Sequence, residues 1–197
     1  MTDPAPGWLE TRLGAGALSA EVCLSVWNLA EQLQRPAEFG SLVEACVRCA
    51  SREFELISVC DEWTSLDSSQ LSTLFASEEI DAHEVDVFQA LMRWARARKP
   101  AEAELGDLLQ LVRFNSIPAE ALGEVCEVDP VFAAHPDFRE LLFSAFKYHA
   151  LPAAKRPKLS ERRGQARTWN PDDKHAWVKL SDDLLEVSYV GGCEDGH

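Results

Sequence analysis

The sequence predicts an all-α fold, a helical bundle followed by a short C-terminal β-hairpin segment, and three observations predict it. Apolar residues recur at helical spacing from Ser19 to about Pro152. Helix-start signals with a polar cap and an acidic or amide residue three places on precede three of those stretches: "SLVE" at Ser41, "DSSQ" at Asp67 and "DAHE" at Asp81. Alternating apolar patterning is confined to the end of the chain, around Trp177–Lys179 and Leu185–Tyr189.

Taken in order, the first stretch, "MTDPAPGWLETRLGAG", is small, Pro/Gly-bearing and poorly periodic, and residues 1–17 read as a flexible leader. Ser19 then caps a helix in which Val22, Val26, Leu29 and Leu33 make one stripe, widened by Trp27 and Ala30. A second helix starts at Ser41 and carries Val43, Val47, Ala50 and Phe54. Leu71, Leu74 and Phe75 follow the Asp67 signal. The Asp81 signal opens "EVDVFQALMRWARARK", in which Val85, Phe88, Met92 and Ala95 share a face with Leu91 beside them. Its basic end complements the helix macrodipole, and Lys99 closes it at Pro100. A core helix with a solvated C-terminus is therefore preferred over a basic helix for membrane or nucleic acid, a choice that Glu84 and Asp86 in the first turn support. Leu105, Leu108, Leu109 and Val112 form the next stripe. Pro118 starts a short helix with Ala121, Leu122 and Val125. Pro136 opens another, burying Phe138, Leu141, Leu142, Ala145 and Phe146, and "HALP" ends it.

At 197 residues and 46% hydrophobic, the chain has room for one ordinary core. The formal charge of -14 argues against nucleic acid as a general partner. Charge is distributed in blocks. Residues 1–154 hold 11 basic and 25 acidic side chains, residues 155–167 hold 6 basic and 1 acidic, and the remainder hold 2 basic and 7 acidic. No apolar run is long enough to span a bilayer, and the N-terminus lacks the basic start and apolar run of a secretory signal. The 6 cysteines read as reduced, mostly buried thiols.

No residue pattern asks for catalysis. "CVRC", Cys46 to Cys49, has the spacing of half a zinc site or a redox pair, but no second CxxC or suitably spaced histidine completes four ligands. Both cysteines fall on an expected helix, where they read as core or half-exposed thiols. His83, His135 and His149 are scattered, acidic pairs such as Glu78–Glu79 and Asp182–Asp183 read as solvated turns and caps, and no Gly-rich phosphate loop is present. The expected sets of catalytic, cofactor-binding and metal-binding residues are empty, and no cofactor is expected. "KRPKLSERR", Lys155 to Arg163, admits three readings: a hydrophilic linker, a nuclear-localisation signal, or a basic arm for nucleic acid. Its position between two differently composed segments favours the linker.

The segments "CLSVWNLAEQL", "REFELIS", "SSQLSTLFASEEID", "EVDVFQALMRWARAR", "LLQLVRFNSIPAEAL" and "HPDFRELLFSAFKYHALP" occur in the order and spacing of a BACK domain, which the chain resembles over roughly Leu18 to Pro152. That helical module lies between the BTB domain and the Kelch repeats of BTB-Kelch proteins. "TWNPDDKHAWVKLSDDLLEVSYVGG" resembles the opening of a SPRY domain, too short to make a β-sandwich. The resulting organisation is residues 1–17, flexible leader; 18–153, BACK-like helical domain; 154–167, basic linker; and 168–197, truncated SPRY-like strand segment.

The resemblance implies a non-enzymatic protein-interaction module, the helical spacer of a cullin-3 ubiquitin-ligase substrate adaptor, with the cullin-3 scaffold as the protein partner contacted through the first helices. It implies no membrane partner, and cytoplasmic residence with the nucleus as the alternative. BTB and Kelch segments are not found, and "RPAEFGS", Arg35 to Ser41, reads as a longer link than the family usually has between its first two helices. The alternative function is therefore a truncated regulatory or orphan fragment without ligase recruitment. Two structural expectations follow. Trp27, Phe54, Leu74, Phe88, Leu91, Met92, Leu109, Val112, Leu142 and Phe146 should be largely buried in one body. Deleting residues 155–197 should leave the stability of the helical part almost unchanged.

Overall fold

A computed structural model describes residues 19–33, 36–126, 130–159, 162, 178–180 and 187–189. The architecture is helical through residue 155. In chain order the helices are α1 (Ala20–Gln32), α2 (Pro36–Arg52), α3 (Phe54–Ile57), α4 (Ser68–Phe75), α5 (Glu84–Arg98), α6 (Glu102–Leu109), α7 (Ala119–Cys126), α8 (Pro130–Ala134) and α9 (Pro136–Ala150), joined in places by short 3-10 turns. Two three-residue strands, Val178–Leu180 and Val187–Tyr189, pair antiparallel, while residues 181–186 between them lie outside the described set. The leader, the remainder of the SPRY-like segment and most of the basic segment after Leu159 also lie outside it.

One continuous apolar core runs from Cys23 in α1 to Ala145 in α9. Two aromatic groups sit within it. Phe54, Trp63 and Phe75 pack with ring centroids 5.5–6.4 Å apart. Phe88 stands among Phe114, Phe132 and Phe138 at 5.3, 5.8 and 5.5 Å, stacked on the last and edge-on to the others. Such offset and edge-to-face contacts add to area burial. Trp63 Nε1 donates to the Ala90 carbonyl at 2.9 Å and Trp94 Nε1 to the Leu66 carbonyl at 2.8 Å, so both indoles are buried with their polar atom satisfied.

The helix ends follow local chemistry. At α4, the Asp67 carboxylate accepts from the Gln70 N–H at 2.8 Å, while the Gln70 side chain accepts from the Asp67 N–H at 2.9 Å, the full reciprocal cap the sequence predicts. α5 ends at Lys99, which adopts a left-handed conformation (φ 50°, ψ 59°) before Pro100 and donates its N–H to Ala95. α9 starts with Pro136 in its first turn and stops at Ala150 before Leu151–Pro152.

Four sequence expectations need correction. α2 starts at Pro36, not at Ser41. Proline is already set for a first helical turn, so the helix begins five residues earlier and "SLVE" lies inside it. The Asp81 signal does not cap α5 either. His83 holds the N-cap position without a side-chain bond, and Glu84 is buried. In α1, most of the stripe assigned to the core faces outward, with Val22 45%, Leu29 58% and Leu33 47% exposed, while Val26 is half-buried against the core. The buried face is Cys23, Leu24, Trp27 and Ala30. Trp27 has the largest apolar surface on the helix, and the small Cys23 and Ala30 on its face admit the neighbouring backbone closely, so that face wins. Among the ten expected core residues, Phe146 is 42% exposed, and Met92 and Leu142 are half-buried against the core; the other seven are buried. α9 turns Phe138 and Ala145 inward, which rotates Phe146 and Phe143 toward solvent.

Candidate interaction surface

Among the described residues, no group of three or more histidine, cysteine or acidic side chains is placed to hold a metal ion, and no helix is long and apolar enough to cross a membrane. Surface shape and exposed apolar residues are what remain. One of these is the exposed stripe of α1. Val22, Leu29 and Leu33 project on one side of the helix while Cys23, Leu24 and Trp27 anchor the other side to the core. The helix is therefore apolar on two faces, and only one is used internally. α9 repeats the arrangement with Phe143, 71% exposed, and Phe146.

Beside the C-terminal half of α1 lies an open groove of about 750 Å³, lined by Asn28, Ala30, Phe39, Val43, Gln70 and Arg98 among others. Asn28 Nδ2 donates to Ser65 Oγ at 2.8 Å across one wall. Gln70 uses its carboxamide oxygen in the α4 cap, and its Nε2 is buried without a partner.

Three of the described cysteines are internal. Cys23, Cys46 and Cys49 are buried free thiols, and the Cys23 Sγ donates to the Cys46 carbonyl at 3.2 Å. Hydrogen bonding with Cys46, followed by burial, pushes the Cys23 thiol well above its usual range. Burial pushes Cys49 and Cys60 up as well. Cys46 is shifted the other way, held down by its hydrogen bonding with Cys23, but it has no exposed surface, and enclosed thiols are poor nucleophiles. "CVRC" is thus a packing feature of α2, as its position on a helix suggests.

Two histidines, His135 and His149, serve helix junctions. His135 Nε2 meets the Glu102 carbonyl at 2.9 Å, and His149 Nε2 meets the Ile117 carbonyl at 2.8 Å, each ring N–H tying α9 to an earlier turn. His83 sits apart at the start of α5. Gly106 in α6 makes room for this junction: a Cβ there would lie 2.5 Å from Asp137 Oδ2 and 3.3 Å from the His135 ring.

One polar feature escapes sequence reasoning. Glu84 and Arg162, 78 positions apart, form an ion pair with no exposed side-chain surface. Nothing in local periodicity links residues so distant. The only hint is a carboxylate at the head of a helix whose first turn is otherwise destined for the core. Nearby, Arg113 pairs with Glu78 at 2.6 Å and its hydrogen bond holds the Glu78 carboxyl below the usual carboxylate range.

Comparison with known proteins places this geometry in context. The sequence profile of the family described as "BACK: BTB And C-terminal Kelch" matches residues 23–127. Human Kelch-like protein 24 is 32% identical over 124 residues, which is 60% of this chain and 21% of that protein. Mouse Kelch-like protein 26 is 28% identical over 148 residues, 74% of this chain and 24% of that protein. BTB/POZ domain-containing protein 17 of Xenopus tropicalis is 25% identical over 112 residues, 56% of this chain and 24% of that protein. The chain spans about a quarter or less of the length of these relatives. No solved structure matches it.

Proposed function

From the premise that this chain belongs to the BACK family, we propose that it is a protein-interaction module, a helical spacer that contacts the scaffold of a cullin-3 ubiquitin-ligase adaptor through its first helix. The observation that carries this reading is the exposed apolar stripe Val22, Leu29 and Leu33 on a helix whose opposite face is locked into the core. Burying such a stripe in an interface gains roughly 25 cal/mol per Å² of apolar surface removed from water. α1 is packed chiefly against α2, so a partner seated on it meets a firm surface, and little ordering cost opposes binding.

The mechanism is geometric. Packed helices hold whatever the chain joins at a set distance from the scaffold, and no covalent step takes place on this chain. The partner is a protein, and neither membrane nor nucleic acid is part of the reading. Residence is cytoplasmic, and reporter fusions of residues 150–170 that accumulate in the nucleus would contradict it. Residues 168–197 are read as a SPRY-like opening with a C-terminal β-hairpin, on the support of "TWNPDDKHAWVKL" and the alternating residues that follow.

The test uses the full chain and purified cullin-3. Wild type should co-purify with it, and Leu29→Asp with Leu33→Asp should abolish co-purification while leaving the circular dichroism spectrum and thermal midpoint in place. A folded wild-type chain that recovers no cullin-3, or a double variant that binds as well as wild type, would overturn the reading.

A further inference from the structure

The basic segment contains a side chain that is not solvated. Arg162 has no exposed surface. Its Nε donates to Glu84 Oε1, its Nη1 donates to the carbonyls of Phe75 and Ser77, both at 2.7 Å, and its Nη2 donates to the Leu111 carbonyl at 3.1 Å. The second Glu84 oxygen accepts from the Arg113 N–H at 3.0 Å. Every guanidinium nitrogen has an acceptor, and both carboxylate oxygens have a donor.

The acceptors come from three places: the end of α4, the start of α5 and the turn after α6. All of them lie between residues 75 and 111, so the helical body assembles the site from residues remote in sequence from its occupant. A compact ammonium cannot meet four acceptors arranged around a planar fork, whereas a guanidinium can. A buried carboxylate at the centre strongly disfavours an empty site.

The path from α9 is also held as far as Leu159. Arg156 donates from Nε to the Leu151 carbonyl and from Nη2 to the His149 carbonyl, both at 2.9 Å, and lies over the Tyr148 ring. The Tyr148 hydroxyl donates to the Pro157 carbonyl at 3.2 Å. Leu159 lines a cavity of about 320 Å³ with Val112, Phe114 and Leu141.

We propose that Glu84 with the carbonyls of Phe75, Ser77 and Leu111 is a guanidinium-binding site whose ligand is Arg162, making the basic segment a latch that fixes where the chain leaves the helical body. The segment is then neither a free linker nor a fully presented import signal, because one of its arginines is internal. The latch is independent of what α1 binds.

Chemical complementation in the full chain tests it. Arg162→Ala removes the ligand and keeps the acceptors. Its thermal midpoint should fall by roughly 10 °C, the scale of a buried pair broken on one side in a domain of this size. Amides of residues 154–159 should exchange faster. Millimolar ethylguanidinium should raise the midpoint of Arg162→Ala and leave wild type unmoved, and ethylammonium should rescue neither. A midpoint equal to wild type, an equal response of variant and wild type to ethylguanidinium, or equal rescue by ethylammonium would each overturn the site. If Arg162→Ala does not fold, Arg162→Lys decides: a clear loss of midpoint with retained helicity supports guanidinium recognition, and a wild-type midpoint refutes it.

Discussion

Replacing Phe88 with alanine probes the centre of the fold. The ring is fully buried and meets Phe114, Phe132 and Phe138, contributed by the turn after α6, by α8 and by α9. Phe→Ala in a core costs about 3–5 kcal/mol through lost transfer energy and the cavity left behind. Three ring partners from three elements limit how far the site can collapse, which puts the cost at the upper end, about 5 kcal/mol. That is a large part of the roughly 5–15 kcal/mol available to an ordinary domain. Urea unfolding followed by the fluorescence of buried Trp63 and Trp94 measures it directly, with the slope expected to stay constant and the midpoint to fall. Phe146→Ala is the matched control. Sequence periodicity puts both rings in the core, but Phe146 is 42% exposed and its loss should change stability by no more than about 0.5 kcal/mol. A Phe88→Ala cost below about 2 kcal/mol, or one matching that of Phe146→Ala, would refute the packing argument.

Other expectations are as direct. Asp67→Ala removes the reciprocal cap of α4 and should cost about 1 kcal/mol by the same urea assay. Gly106→Ala should gain up to about 1 kcal/mol of helix propensity only when Asp137 is also alanine, since a Cβ otherwise meets its carboxylate; a double-mutant cycle reads the coupling. In the folded protein, Cys23, Cys46 and Cys49 should react with a thiol reagent only as fast as the domain opens, seen as labelling that follows unfolding. The Glu78 carboxyl is depressed by Arg113, so its stabilising effect is present at neutral pH and lost as pH falls through its lowered pKa; Glu78→Gln should flatten that acid limb in a titration of the thermal midpoint.

The helical architecture was legible because periodicity and local caps act within a turn or two of the residues that carry them. Asp67–Gln70, Pro118, Pro136 and the Ala150–Pro152 stop all act at that range. Which face of α1 turns inward was only partly legible: Trp27 and Ala30 were expected inside and are, but Val22–Leu33 and Cys23–Ala30 are both apolar stripes and the choice between them rests on how Trp27 packs against other elements. The same limit hid Phe146. Glu84 was read as a capping residue because its spacing fits one, and only the arrival of Arg162 from far along the chain shows why it is buried. The outward stripe of α1, the candidate interaction surface, was visible as a set of residues and misassigned as to what it contacts.

The buried carboxylate at Glu84 bears on what counts as one domain. Family similarity covers residues 23–127 and the helices end at Ala150, yet the last charge needed to neutralise the interior sits at Arg162. A recombinant fragment ending at Ala154 would contain α1–α9 and still enclose an uncompensated negative charge, with a penalty of about 3–5 kcal/mol, so the expectation that deleting residues 155–197 leaves the helical part's stability unchanged does not hold. The smallest piece able to fold with full stability is thus set by electroneutrality of the core, and its boundary falls at least ten residues beyond Pro152, where secondary structure would draw it.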